Sequence, residues 1–583
     1  MMDRMGLATA ALAMALLQAC APMAAPAPLA PAAIPPSYDL LIHGGTIYDG
    51  SGTGPYEGDI AIRGDRIAYA GPALPANATR VVDAHGLAVT PGFINMLSWA
   101  TESLLVDGLG QSDLRQGITL EVMGEGWSMG PLNDRMKKLA VEQQGDFKYP
   151  IEWTTLGEYL SLLERRGTSM NVASFVGATT VRQHELGDRD VDPTPEQLRR
   201  MRALVRQAME EGALGVGTSL IYPPASFAET DELIALTTEA ARCGGSYISH
   251  MRSEGDRLLE SIDELIEISR RSGAPAEIYH LKQVGRSNWG KLDAVIAKVE
   301  AARAAGLKIS ADMYLYTAGA TGLAASMPPW VQDGGVEAML KRLKDPAVVA
   351  RVKREMLQPG SNWENLYLHA GPAGVQLASL TEPSLKPLMG KTVAEVAKMR
   401  GVSPEQAVID LVLADQGRAG AIYFLMNEDN VRRQTAIPWV SFGSDAEASA
   451  PEGVFLKSST HPRAYGNFAR FLGKYVRDGK VASLAEGIRR LTSLPASNLG
   501  LHDRGLLKPG MVADVVLFDP AKISDHASFA KPMQFATGVH HVVVNGVQVL
   551  KDGEPTGAKP GRFVKGAGWK GWPNGGACRP RES

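Results

Sequence analysis

The feature that most constrains this chain is a repeated alternation of short apolar runs and amphipathic helical segments through its middle. "TPEQLRRMRALVRQAMEEG" is the helical half of one unit. Thr194 is placed to cap it, Pro195 occupies the first helical position and Gln197 completes a capping box. Leu198, Met201, Val205, Ala208 and Met209 fall on one face, and Gly212 stops the helix. "ALGVGTSL" follows as a buried strand. The cycle repeats as strand "SYISH", helix "GDRLLESIDELIEISRRSG", strand "AEIYH", helix "KLDAVIAKVEAARAAG" and strand "LKISADMY". A period of roughly thirty residues is that of a βα unit. Buried strands are expected at 89–95, 118–125, 172–177, 213–220, 246–250, 276–281, 307–314 and 438–445. Eight parallel strands close a barrel, so the fold class expected is α/β, a (β/α)8 TIM barrel. The alternative, an open doubly wound sheet, lacks a Gly-rich nucleotide loop after its first strand.

Both ends of the chain have a different texture. "YDLLIHGGTIYDG" and "GDIAIRGDRIAYAG" read as strands, the second turning at Gly64-Asp65. "GMVADVVLFDP" and "HHVVVNGVQVLKDG" read likewise, with Asn545-Gly546 a type I′ turn signal. One small β-sandwich domain is therefore expected from residues 38–88 and 496–566, flanking a barrel over 89–495. The stretch 315–437 exceeds one helix and reads as an inserted subdomain or lid, within which "NLYLHAG" and "AIYFLMNED" look like strands. The tail 567–583 reads as a loop.

At 583 residues the chain can hold a large barrel and a smaller domain. Hydrophobic content of 45% and charged content of 21% describe a soluble globular protein. A net charge of −3 gives no reason to expect nucleic acid or an acidic membrane as partner. Arg4 precedes an apolar run from Gly6 to Ala19, too short to span a bilayer but suited to a signal peptide. Leu17-Gln18-Ala19-Cys20 looks like a lipoprotein box, so residues 1–20 are expected to be a signal peptide with lipid on Cys20. Cleavage near Ala24 or Ala25 is the alternative. An Ala/Pro linker over 21–37 would tether a periplasmic protein whose only membrane contact is its lipid anchor. Of the three cysteines, Cys243 and Cys578 would remain. A disulfide is not expected, and Cys243 reads as a packed core residue.

Barrels carry reactive groups at the C-terminal ends of their strands. Those ends hold Glu125, His250, His280, Tyr314 and Asp445. Singly, His280 reads rather as a satisfied core histidine and Asp445 as a helix cap. Together, two histidines and two carboxylates at one rim form a metal-site constellation.

The phrases "DLLIHGGTIYDGSG", "TPGFIN", "GALGVGTSLIYPPASFAETDELIAL", "GGSYISHMRSEGD", "HLKQVGRSNWGK", "ADMYLYTAG", "GSDA" and "HPRAYGNFARFLGKYVRD" occur in that order. In them the chain resembles the amidohydrolase superfamily, and within it the N-acyl-D-amino-acid deacylases, over nearly all of 38–566. The resemblance implies that His250 and His280 bind zinc and that Asp445 is the general base. It also implies that Lys282 helps to bind the substrate carboxylate, and that Tyr222 and Tyr314 line the pocket. Arg252, Arg286 and Arg463 are further candidates for holding an anion.

The chain departs from that pattern twice. The first-strand His-x-His pair is replaced by Leu97 and Trp99, which cannot ligate zinc there. The second-strand cysteine ligand is missing: in "VMGEGWSMGP" Gly126 falls close to its position, with Glu125 beside it. The lost pair serves mainly one of the family's two metal positions. One zinc held by Glu125, His250 and His280 is therefore expected, with Glu121, deeper in the barrel, the weaker carboxylate. The implied activity is hydrolysis of the amide bond of a small N-acyl amino acid. Alternatives are a lactone or cyclic-amide hydrolase using the same site, or a non-catalytic periplasmic binding protein, which would not need Asp445.

Overall fold

The structure, a computed structural model, describes residues 37–360 and 362–578. The segment read as signal peptide, with nearly all of the Ala/Pro linker, lies outside the described residues. Among the described residues no helix is long and apolar enough to cross a membrane.

Parallel pairing runs from Phe93–Asn95 to Ile118–Met123 and on to Asn171–Ser174. Val176–Gly177 continues that last segment and starts a second run through Gly215–Ser219, Ser246–His250, Ala276–Ile278 and Ile309–Ala311. Parallel bridges from Ala311 to Val440 and from Ala446 back to Ser98 carry the pairing round to its start. The eighth segment, expected as a strand over 438–445, contributes isolated bridges instead. The intervening helices form as their sequences direct. Over Pro195–Glu211 the Thr194 side chain accepts from the Gln197 amide, Pro195 leads and Gly212 ends the helix in a left-handed turn. Met201, Val205, Ala208 and Met209 are buried. Burying a valine or methionine side chain contributes roughly 1.5–3 kcal/mol.

The apolar run expected as one strand over 89–95 is split at Gly92. Ala88–Pro91 pairs with Ser37–Ile47 and Val515–Phe518 in the outer sheet, and Phe93–Asn95 opens the parallel ring. A Cβ on Gly92 would lie 2.0 Å from Thr119 Oγ1, so only glycine lets the chain cross here. Both chain ends meet in the outer sheet, which has nine strands. It is one continuous hydrogen-bonded sheet rather than two separate sheets. Leu40, Ile42, Ile60, Ile62, Val515 and Leu517 form its own core. Val516, Phe518, Val542 and Val544 belong to the core of the parallel body. Asn545 and Gly546 both adopt positive φ, as the type I′ turn requires.

The insertion has its own core and an antiparallel sheet in which Gly420–Phe424 lies between Ala318–Gly322 and Val375–Ser379. "AIYFLMNED" is a strand there, but "NLYLHAG" is not. Leu366–Ala370 is a short helix, because the Asn365 side chain caps it by accepting from the Leu368 amide and Gly371 ends it with φ 66°. A short apolar run carries too little periodicity to decide between the two.

The cysteines also depart from expectation. Cys243 and Cys578 form a disulfide across 335 residues. The tail packs back on the parallel body, with Gly566 N donating to Gly212 O and Lys570 N to Glu210 O. That docking brings Cys578 to Cys243, just beyond the helix Thr230–Ala241. Long-range docking of this kind leaves no local sequence signal.

Candidate active site and metal centre

Glu125 lies in the turn after Ile118–Met123, between Gly124 (φ 106°) and Gly126 (φ 72°). A Cβ on Gly124 would lie 2.3 Å from Phe175 O, so the turn presses against the neighbouring segment as a bulkier one could not. His250 ends its strand. His280 lies just past the strand Ala276–Ile278 and Asp445 just before the Ala446 bridge, both in left-handed backbone, with φ 35° and 50°. Such non-glycine conformations cost about 1–3 kcal/mol and persist where the surroundings hold them. Here Asp312 Oδ1 accepts from the His280 amide at 2.8 Å, and Leu97 O accepts from the Asp445 amide at 2.8 Å.

Glu125 Oε1 lies 2.9 Å from both His250 Nδ1 and His280 Nε2. One donor atom from each residue can be chosen so that all three lie within 4.8 Å of one another. Their side chains are 4%, 6% and 2% exposed, so the cluster is screened from bulk water. Burial raises the Glu125 pKa, but His280 and His250 outweigh it and hold the carboxyl well below its ordinary range. Burial and Lys282 pull His280 down, yet Glu254 and Glu125 prevail and push it up to about 10. The donor set, two imidazoles and a carboxylate, suits zinc. His250 Nδ1 is the nitrogen that faces Glu125 Oε1, while its Nε2 makes no hydrogen bond and lies 3.6 Å from Glu254 Oε2. The residues present therefore fit a metal.

Glu254 is the main residue that sequence reasoning missed. Its Oε1 lies 3.0 Å from His280 Nδ1 and 2.7 Å from Lys282 Nζ. A carboxylate on the far nitrogen of a ligating histidine fixes its tautomer and orientation. The available signal was position, since Glu254 follows His250 in "SHMRSEGD", where strand-end loops build barrel sites. Burial raises its pKa, and Lys282 with the two histidines lowers it far more.

Asp445 is held on both oxygens. Trp99 Nε1 donates to Oδ1 at 3.1 Å, and Arg463 Nη1 lies 2.7 Å from Oδ2. Burial raises its pKa and Arg463 pulls it back, leaving it above the usual aspartate value. Arg463 stacks over the Tyr314 ring at 4.4 Å, and its Nε is buried with no partner. A cavity of about 680 Å³ opens over the cluster, lined by Tyr222, Lys282, Tyr314, Asp445 and Arg463 among others. The Tyr222 ring packs edge-on to His250 at 5.3 Å. Burial pushes the Tyr314 hydroxyl up to about 12 against the pull of Lys282 and Arg463.

The other candidates lie elsewhere. Arg252 is tied to Glu264 and to the carbonyls of Ser226 and Ala228, and Arg286 is exposed; neither lines the cavity. Glu121 is buried apart from the cluster, accepting from Asn95 Nδ2 at 2.9 Å beside Asp113. Desolvation pushes the Glu121 carboxyl up.

Residues 80–550 match the amidohydrolase family. The chain is 34% identical over 531 residues to a D-aminoacylase of Alcaligenes xylosoxydans xylosoxydans, covering 90% of this chain and 97% of the relative. It superposes with a TM-score of 0.76 at 32% identity on a D-aminoacylase studied for the role of its binuclear metal center, covering 91% of this chain and all of the other. A zinc and phosphonate-inhibitor complex of N-acyl-D-glutamate deacylase from Bordetella bronchiseptica gives 0.76 at 28% identity with the same coverage. The likeness makes the body a TIM-barrel catalytic domain with an additional domain. With its parallel ring, its buried metal-binding cluster and a match covering most of its length, the chain belongs to the amidohydrolase family.

Proposed function

We propose that this protein is a zinc-dependent deacylase that cleaves the amide bond of a small N-acyl-D-amino acid, using one metal per chain. The observation that carries the reading is the convergence of Glu125, His250 and His280 beneath a cavity that Asp445 also lines. Relatives whose names specify D-aminoacylase and N-acyl-D-aspartate and N-acyl-D-glutamate deacylase activities support the substrate class. Glu125, His250 and His280 would hold the ion. When bound, it supplies Lewis acidity that polarises a carbonyl and makes water more acidic. Asp445 takes the proton from the attacking water and returns it to the leaving nitrogen. A carboxylate whose pKa is raised by burial is suited to both halves of that task.

The substrate carboxylate is assigned to Arg463 and Lys282. Arg463 keeps a buried, unpartnered Nε. Lys282 lines the cavity with its ammonium donating to Glu254 Oε1 at 2.7 Å, and an ammonium has three N–H donors, so it keeps donors for the substrate. Tyr222 and Tyr314 wall the acyl amino acid. A panel of N-acetyl-D-amino acids, their carboxamides, lactones and cyclic amides tests this directly. The free acids should be cleaved best; equal rates on the carboxamides would remove the carboxylate pocket, and preference for a ring would replace a linear substrate.

Export to the periplasm on a lipidated Cys20 is part of the same proposal. The Cys243–Cys578 disulfide supports an oxidising compartment. Mass spectrometry of the mature N-terminus should find a modified Cys20; an unmodified start near Ala25 would remove the anchor.

A further inference from the structure

We propose that Trp99 is a positioning residue, whose indole N–H brackets the metal-ligating carboxylate and the general base and so sets both in register. The inference rests on the reading of Glu125 as metal ligand and Asp445 as base. Trp99 Nε1 donates to Glu125 Oε2 at 2.8 Å and to Asp445 Oδ1 at 3.1 Å, from the first segment of the ring to the second and the eighth. Tryptophan offers one donor and no acceptor, and it carries no charge. It can therefore stand between two carboxylates without competing for the ion or adding a titrating group.

The indole is fixed where it stands. Trp99 N donates to Ala446 O at 2.9 Å, Ser98 N donates to Val122 O at 2.8 Å, and Ser98 and Ala446 form a bridge pair. The ring is half-buried against Leu97, Phe175 and their neighbours. Two consequences follow for the carboxylates. With Oε2 of Glu125 engaged, Oε1 alone faces His250 and His280, which presents one oxygen to an ion. With Oδ1 of Asp445 on the indole and Oδ2 beside Arg463, the carboxylate plane is gripped from both sides. The separation of ligand and base is then set by a rigid ring rather than by two flexible side chains.

The test removes the N–H and keeps the ring. Trp99→Phe is one variant; replacing Trp99 with 3-benzothienylalanine, in which sulfur stands for the N–H on the same bicycle, is the second and preserves shape. Zinc affinity is measured by chelator competition, independently of turnover, beside kcat and KM on an N-acetyl-D-amino acid. Both variants should still saturate with metal, but bind it about 10- to 100-fold more weakly, the usual effect of losing a partner behind a ligand. kcat should fall by a similar factor, with KM within about threefold in the benzothienyl variant, whose bicycle still lines the cavity. Zinc affinity and kcat both within about threefold of the parent, in the folded benzothienyl protein, would overturn the proposal alone. A parent protein that takes up no zinc would overturn it together with the reading of the site.

Discussion

Replacing Asp445 by asparagine removes the proton acceptor and leaves the shape. Asp445 Oδ1 accepts from Trp99 Nε1 at 3.1 Å and Oδ2 is ion-paired with Arg463 Nη1 at 2.7 Å, so both oxygens are engaged. The amide loses the ion pair with Arg463, and if its NH2 turns toward Trp99 it loses that hydrogen bond too, at about 1–3 kcal/mol. The fold should survive that cost. Turnover should not, because removing a general base costs about 100- to 10,000-fold, or roughly 2.7–5.5 kcal/mol at 1.36 kcal/mol per tenfold. Metal content should be unchanged, since the cluster consists of Glu125, His250 and His280. The assay is kcat/KM on an N-acetyl-D-amino acid across pH, with metal analysis and a melting curve. In the parent, activity should fall on the acid side at a pH above the ordinary aspartate value, because burial raises Asp445 and protonation removes the base. In the variant that limb should vanish. A loss of less than about tenfold, or an unchanged acid limb, would refute the assignment.

Glu254→Gln removes the carboxylate beside His280 Nδ1 and Lys282; zinc affinity by chelator competition should drop about 10- to 100-fold, and unchanged affinity would dismiss its role. Metal binding at pH 7 should release about one proton, because His280, raised to about 10 in the metal-free protein, must become neutral to ligate. Affinity should therefore rise with pH toward that value, and calorimetry in buffers of different ionisation enthalpy measures the release. Cys578→Ser should lower stability by about 2–4 kcal/mol, read as a lower melting temperature than that of the oxidised parent; equal melting under non-reducing conditions would show that the disulfide contributes little.

The alternation of strand and helix was legible because its period is local and its caps are explicit, as at Thr194, Pro195 and Gly212. His250, His280 and Asp445 were legible because the strand ends of a barrel converge by construction. Glu125 could be proposed as a ligand only after the usual residues were seen to be missing at Leu97, Trp99 and Gly126. What stayed hidden depends on side-chain aim or on distant docking. "MRSEGD" does not reveal that Glu254 turns inward behind His280, nor "LSWAT" that the Trp99 N–H reaches two carboxylates. The handover at Gly92 and the Cys243–Cys578 pair are likewise products of tertiary contact, one from Thr119 across the sheets and one from a tail that returns to the barrel. The short helix Leu366–Ala370 was misread because five residues fit either period.

The central claim is that one metal, held by Glu125, His250 and His280, supports amide hydrolysis. Metal analysis of the purified protein and of His250→Ala, each beside an assay of N-acetyl-D-amino-acid hydrolysis, tests it most directly. The parent should carry about one zinc per chain and hydrolyse the amide, and the variant should lose the metal and the activity together. Two tightly bound metals in the parent, or a His250→Ala protein that keeps its zinc and its turnover, would contradict it.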